Sequence, residues 1–411
     1  MKKILIILFI FLSLTGFSQD LKYTNPRKIV EKVNNTQGKI FNVLDYGAVM
    51  DDGNADNTAL IAAIAASRPN GIVYIPKGTL TINLESTAVW VYDSIIIRGS
   101  GKYATIIQAI PATALHEKYV FECYAGSKSR FEDMTIRSCV TSNATYDIVG
   151  IRNNNSSGGG IVDIERVNFY GFYNSVEIYP GMKTIKLKDC EITSHNRTSN
   201  GIYIKGGNDS AFVYVEDCYF HDIGKIASAD HGIYVSDPVS LIVENTKFRN
   251  IPHGSGIQSW GSGSHKGSTK RIDGCIFDSC KIGIITNEAD TLQMTTITNC
   301  SFTNIFWDGI YMGVGSHIIT GNTFINNYEY SIYSSANNSR AIISNNIFRL
   351  VATGIYQSQT DNIWNVTNNM AFNISGGSVK FVYDWKTSTV YTSHNRLFYL
   401  PLPTLDGDIA E

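Results

Sequence analysis

The sequence predicts an all-β protein: a single-stranded parallel β-helix, a solenoid of roughly ten coils, with one α-helix near its N-terminal end. Two recurring markers and one property of the segments carrying them lead to this. The first marker is a glycine-isoleucine unit: Gly201-Ile202, Gly232-Ile233, Gly256-Ile257, Gly283-Ile284, Gly309-Ile310, the variant Ser331-Ile332, and Gly354-Ile355. Its isoleucines step by 31, 24, 27, 26, 22 and 23 residues. The second marker is a phenylalanine, at Phe220, Phe248, Phe277, Phe302, Phe324 and Phe348, stepping by 28, 29, 25, 22 and 24. Two unlike markers sharing a period of roughly 25 indicate a repeat architecture. The units themselves are short, β-branched and aromatic, and alternate with period two between Asn, Gly, Ser and Asp punctuation. No stretch between them has helical periodicity, which argues against helical and leucine-rich repeats. Coils of short strands stack at the strand spacing of about 4.8 Å, so equivalent residues should form ladders.

Taken in order, Lys2 and Lys3 precede the apolar run Ile4 to Leu14, and Gly16-Phe17-Ser18 follows. This reads as a signal peptide over residues 1–18, too short to span a bilayer, and the protein is expected to be secreted or periplasmic. No later run approaches the ~20 apolar residues of a membrane helix. Residues 19–39 form a polar leader, and 40–411 the β-helix domain, with clear repeats over about 130–375 and a C-terminal end at 376–411. Phe41 to Ala48 opens the domain as strand and turn. After the polar loop from Asp51, Asp56 or Asn57 should cap a helix over Thr58 to Ser67, accepting its free N–H groups. The Ala, Leu and Ile content of that helix means it covers something apolar. Strands Ile72 to Pro76 and Thr79 to Ile82 follow.

Several chemistries are disfavoured. Gly99-Ser100-Gly101-Lys102 has Ile96 in place of the first P-loop glycine and Tyr103 in place of the magnesium-holding hydroxyl. A net charge of -2 argues against a nucleic-acid partner. There is no zinc-type spacing, so no metal site is assigned, and no G-x-S-x-G. Of seven cysteines, Cys218, Cys275 and Cys300 share a place with Thr246, Asn322 and Asn346, two residues before the second marker, and Cys190, two before Ile192, holds the same place one coil earlier. Small and amide side chains stacked at a coil corner account for them. Parallel stacking does not aim their Cβ atoms at one another, which disfavours disulfides.

The segment Phe41 to Ile82, with its strand, Asp/Gly loop, capping helix and Val73-Tyr74-Ile75-Pro76 strand, resembles the start of pectin-lyase-like right-handed β-helix proteins. That superfamily includes polysaccharide lyases, polygalacturonase-type hydrolases, uronan epimerases and phage tailspikes. The resemblance implies a right-handed parallel β-helix with an N-terminal capping α-helix, Thr58 to Ser67, plugging the end of the coil stack, and a polysaccharide partner. Asp230-His231-Gly232-Ile233 is similar to the Gly-His-Gly-Ile segment of the polygalacturonase-type hydrolases, but the acidic motifs of that family are missing: Ser199-Asn200 stands in the preceding coil, and Arg271-Ile272-Asp273 replaces Arg-Ile-Lys. Asp237-Pro238 is followed by Val239, not the histidine of the epimerase signature.

The outward positions of the repeated strand offer the site. Tyr203, Tyr234, Gln258 and Tyr311 fall in one column, Lys205, Trp260 and Asn287 in a second. Aromatic rings along a groove suit sugar faces, although a tyrosine ladder can also simply stabilise a sheet. The leading expectation is a lyase acting by β-elimination on an acidic, uronate-containing polysaccharide. His231, Tyr234 or Lys205 would serve as base or acid, and Lys205, Gln258, Lys266, Arg271 or a bound calcium would neutralise the uronate carboxylate. The runner-up is a glycoside hydrolase using Asp230, for which Asp308 lies three coils away, about 14 Å. The third is a non-catalytic glycan-binding protein. The chain is expected to be a monomer.

Overall fold

A computed structural model of the chain describes residues 38–85, 89–110, 118–124, 126–139, 148–153, 160–179, 182–194, 200–204, 212–224, 230–236, 239–261, 268–288, 292–372, 382–384 and 389–398. The expected signal peptide, nearly all of the expected leader, Lys205 and Lys266 lie outside them. The described residues from 40 onward wind as a right-handed parallel β-solenoid of about ten turns. One coil shows the plan: Phe212–Glu216 lies on the first sheet, Tyr219–Ile223 on the second and His231–Val235 on the third. Ser240–Glu244 then returns to the first sheet and pairs with Phe212–Glu216 in parallel. Further along, Lys247–Gly261 and Ile276–Glu288 run through the corner between the second and third sheets as continuous strands.

The N-terminal end is covered by helix α1, Asn57–Ala66. Its buried residues Ala59, Leu60, Ala63 and Ile64 pack onto the first coils. The cap differs from expectation. Asp56 holds the N-cap position, yet its carboxylate accepts from the Val49 N–H at 3.0 Å, and the Asn57 amide pairs with the backbone of Asn83. Both side chains tie the helix to the coil beside it, a long-range use that a local capping rule does not see. Among the described residues no helix is long and apolar enough to cross a membrane.

The second marker is the interior spine. Rings of Phe220, Phe248, Phe277, Phe302, Phe324 and Phe348 stack at centroid spacings of 5.0, 4.9, 4.9, 4.8 and 4.9 Å. That is the coil repeat itself, and each aromatic contact adds about 0.5–1.5 kcal/mol beyond area burial. The corner ladder is also present. The Asn322 N–H donates to Asn346 Oδ1 at 2.9 Å, and Asn346 repeats the bond to Asn369 at 2.9 Å. The amides thus satisfy backbone donors that the turn leaves unpaired. Residues just before this ladder, including Asp189, Asp217, Asn245, Asn299 and Asn345, have φ of 49 to 57°, the left-handed region Asn and Asp tolerate best. All seven cysteines are free thiols, and Cys190, Cys218, Cys275 and Cys300 are buried in the corner ladder.

The glycine of the first marker is explained by the spine. A Cβ on Gly283 would sit 2.6 Å from Phe302 Cδ1 and 2.4 Å from the Gly309 carbonyl oxygen, and Gly201, Gly232 and Gly309 meet equivalent atoms. Gly283→Ala is therefore expected to lower stability by about 1–3 kcal/mol through overpacking, measured as a drop in urea midpoint with unchanged m. An unchanged midpoint would mean the ladder yields freely there.

Candidate active site

The glycine also decides which side chains reach the groove. Gly232 is turned toward the Phe248 ring, and Ile233, the next residue, is fully buried. Two consecutive inward positions break the period-two alternation, so the residue before the glycine belongs to the groove side. His231, which strict alternation places inward, accordingly stacks on the outward Tyr234, with centroids 5.3 Å apart. Asp308, in the same place three coils on, lines a cleft together with Tyr311.

The outward column of the third sheet runs in register through Glu122, Arg152, Glu177, Tyr203, Tyr234, Gln258, Ile285, Tyr311, Tyr333 and Tyr356. At its N-terminal end the Arg152 guanidinium is held between the rings of Tyr119 and Tyr179, at 4.2 and 4.3 Å. Tyr203 and Tyr234 stack at 5.4 Å.

His231 is 5% exposed, and its Nδ1 accepts a hydrogen bond from the Ser255 N–H at 3.1 Å. The neutral ring therefore carries its proton on Nε2 and is a donor there. Burial, reinforced by the charge of Lys281, pushes its pKa down to about 4. The imidazole is expected to stay neutral at physiological pH. Histidine ring NMR shifts should show no titration from His231 above about pH 5, and a titration near 6.5 would contradict the buried, Ser255-bonded ring.

Asp230 is fully buried in front of His231, and Gly254 approaches its backbone so closely that a Cβ would lie 1.3 Å from the Asp230 carbonyl oxygen. Arg271 does not join the groove. It is on the first sheet and pairs with Glu244 at 2.7 Å.

Trp260, Asn287 and Tyr311 do come together, in a cleft of about 630 Å³. Its walls include Trp307, Asp308, Glu329, Tyr330, Tyr333 and Tyr356 as well. Tyr330 stacks on Tyr356 at 4.7 Å, and Tyr311 stands edge-on to Tyr333 at 5.2 Å. Lys281 lies against the Trp307 ring, its Nζ 3.9 Å from the centroid. Asp308 is 6% exposed, and its Oδ1 makes no hydrogen bond within the protein. Burial, then the nearby charge of Glu329, lifts its carboxyl from 3.8 to about 7. Glu329, one coil further, is exposed. A carboxyl that keeps its proton near neutrality, beside a second carboxyl in an aromatic cleft, is the arrangement that divides acid and partner roles in glycoside cleavage. Among the described residues no group of three or more His, Cys, Asp or Glu is placed to hold a metal ion.

Trp307 and Glu329 were not among the expected residues. Their signal lies two positions before each first-marker glycine or its serine variant, where Asp230, Gly254, Lys281, Trp307 and Glu329 form one corner column. The Trp307 N–H donates to the Lys281 carbonyl at 2.8 Å within that column.

A parallel β-helix with this N-terminal cap and an aromatic groove along one sheet places the protein in the pectin-lyase-like superfamily. Within it, the chain belongs to the rhamnogalacturonase A/epimerase, pectate lyase-like family, which matches residues 40–285; residues 282–398 match the right-handed β-helix region. It is 24% identical over 305 residues to a probable rhamnogalacturonase C of Aspergillus niger, covering 70% of this chain and 58% of that protein. To a probable rhamnogalacturonase B of Neosartorya fischeri it is 24% identical over 234 residues, 54% of this chain and 41% of that one. The chain thus spans about half the length of these curated relatives. Among solved structures, the surface adhesin PfbA of Streptococcus pneumoniae superposes with a TM-score of 0.59 at 16% identity, covering 84% of this chain and 91% of that one. A family 28 exopolygalacturonase of Yersinia enterocolitica gives 0.52 at 10%, covering 89% and 79%. These two likenesses show a shared fold.

Proposed function

We propose that the protein is a glycoside hydrolase that cleaves a polysaccharide in the third-sheet cleft, with Asp308 as general acid and Glu329 as its carboxylate partner. The observation that carries this reading is the uneven pair itself: Asp308 is nearly buried and holds its proton to about pH 7, while Glu329 is exposed one coil away. Asp308 donates that proton to the glycosidic oxygen as the bond breaks. Glu329 acts on the anomeric carbon, directly or through water. Retention of configuration in the first product assigns it as nucleophile, and inversion as base. The faces of Trp260, Trp307 and Tyr330 hold the sugar rings.

The family relatives named rhamnogalacturonases support a pectic polymer as substrate. The acid pair lies beyond the family match, which ends at residue 285, so its assignment rests on geometry and electrostatics. The β-elimination reading has less support. His231 carries its proton on Nε2, where a base needs a lone pair, and neither His231 nor Tyr234 is a wall of the cleft. Incubation with rhamnogalacturonan and with homogalacturonan separates the readings. New reducing ends without the unsaturated-uronate absorbance band are expected from rhamnogalacturonan. The band would establish a lyase, and binding without product would leave a glycan-binding protein.

A further inference from the structure

We infer that the cleft takes a neutral sugar ring and rejects a uronate, with Glu329 as the residue that sets this preference. The inference rests on the proposed function only in placing a sugar between Asp308 and Glu329. It narrows the acidic-polysaccharide expectation: an acidic polymer can still be the substrate, but the ring bound in this cleft carries no carboxylate.

The cleft offers a ring two kinds of surface. One is aromatic: Trp260 and Trp307 are each 49% exposed, and Tyr330, Tyr333 and Tyr356 continue the wall. Such faces favour the apolar C–H side of a pyranose. The other is acidic: Asp308 and Glu329 both open into the same space. A uronate placed there brings a third carboxyl group into a partly desolvated pocket, where like charges repel far more strongly than in water. The polar groups of Asn287 and Ser358 suit hydroxyls. Among the described residues no lysine is a cleft wall, and Lys281 is stacked on the Trp307 ring. Glu329 is the more exposed of the two carboxyls and sits on the corner column directly after Trp307.

The test uses two probes that differ only at C6: an α-1,4-linked oligogalacturonide, and the same oligomer after chemical reduction of its carboxylates to neutral hydroxymethyl groups. Trp260 and Trp307 report binding through intrinsic fluorescence. At neutral pH the reduced, neutral oligomer is expected to bind at least roughly ten-fold more tightly, and Glu329→Gln should bring that ratio below about three-fold. Glu329 is exposed, so the substitution leaves the core untouched. The inference is overturned if the charged oligomer binds as well or better, if Glu329→Gln leaves the ratio unchanged, or if neither oligomer perturbs the tryptophans. Product analysis is separate. Discrimination without any cleavage would remove the hydrolase reading and keep this one. Cleavage with equal binding of both probes would do the reverse.

Discussion

Asp308→Asn is expected to lower kcat at neutral pH by about a thousand-fold, within the range for removing a general acid. Asparagine keeps the size of the side chain but has no proton to give to the leaving oxygen. The same requirement fixes the pH profile of the native protein. Because burial holds the Asp308 carboxyl at about 7, the active, protonated fraction falls as pH rises through that value. The basic limb of kcat/KM should bend near pH 7 and vanish in the variant, which keeps only a low, flat residual rate. Glu329→Gln should also lose at least a hundred-fold while keeping a basic limb, moved to lower pH, since Asp308 still titrates but without the Glu329 charge that helps to raise it. Substrate binding, read by tryptophan fluorescence, should change little in Asp308→Asn. A kcat within ten-fold of native would show that the proton comes from elsewhere, and the pairing with Glu329 would lose its meaning.

How much of this was legible in the sequence depends on which part of the coil is considered. The spine was legible because Phe220 to Phe348 and the glycine-isoleucine units are one contact seen from two sides: the ring needs the glycine, so the two markers must share a period. The corner ladder was legible for the same reason, since Asn322 and Asn346 answer backbone donors at a fixed place in each turn. The groove was harder. Period-two alternation fails at the glycine, which is why His231 reads as inward from the sequence yet stacks on an outward tyrosine. Residues before the glycine carry no shared type: Asp230, Gly254, Lys281, Trp307 and Glu329 occupy one column and look like unrelated loop residues. Asp308 is three coils from Asp230 but one coil from Glu329, and only the coil register reveals the second neighbour. Arg271 illustrates the converse. In the sequence it reads as a cation able to neutralise a uronate carboxylate, and the fold puts it on another sheet with Glu244 as partner. Repetition is visible in a sequence when every coil needs the same residue, whereas the site is built where the coils differ.

The same Asp308→Asn substitution is expected to stabilise the fold at about pH 8, by an amount on the order of 4 kcal/mol as an upper figure. The sign follows from proton counts. Between 3.8 and about 7 the native carboxyl keeps a proton that the unfolded chain has released. Raising the pH through this window therefore favours the unfolded state, and native stability declines until both states are ionised above about 7. Asparagine cannot ionise, so the variant escapes the decline; below 3.8 the two proteins should be nearly equal, and above 7 the variant should exceed the native one. His231 and His317, the latter buried on the first-sheet strand Gly315–Thr320, tilt stability the other way. Burial holds both at about 4, so the native state loses stability as pH falls from 6.5 toward 4. Both histidines are present in each protein and cancel in the difference curve, leaving Asp308 alone. Denaturant midpoints of the pair at about pH 4, 6 and 8 measure it. A carboxylate that merely supported the fold would give the opposite result, with the variant less stable at alkaline pH. Gain of stability together with loss of turnover is what a buried acid kept for catalysis predicts, because its desolvation is unfavourable to the fold and useful only to the reaction.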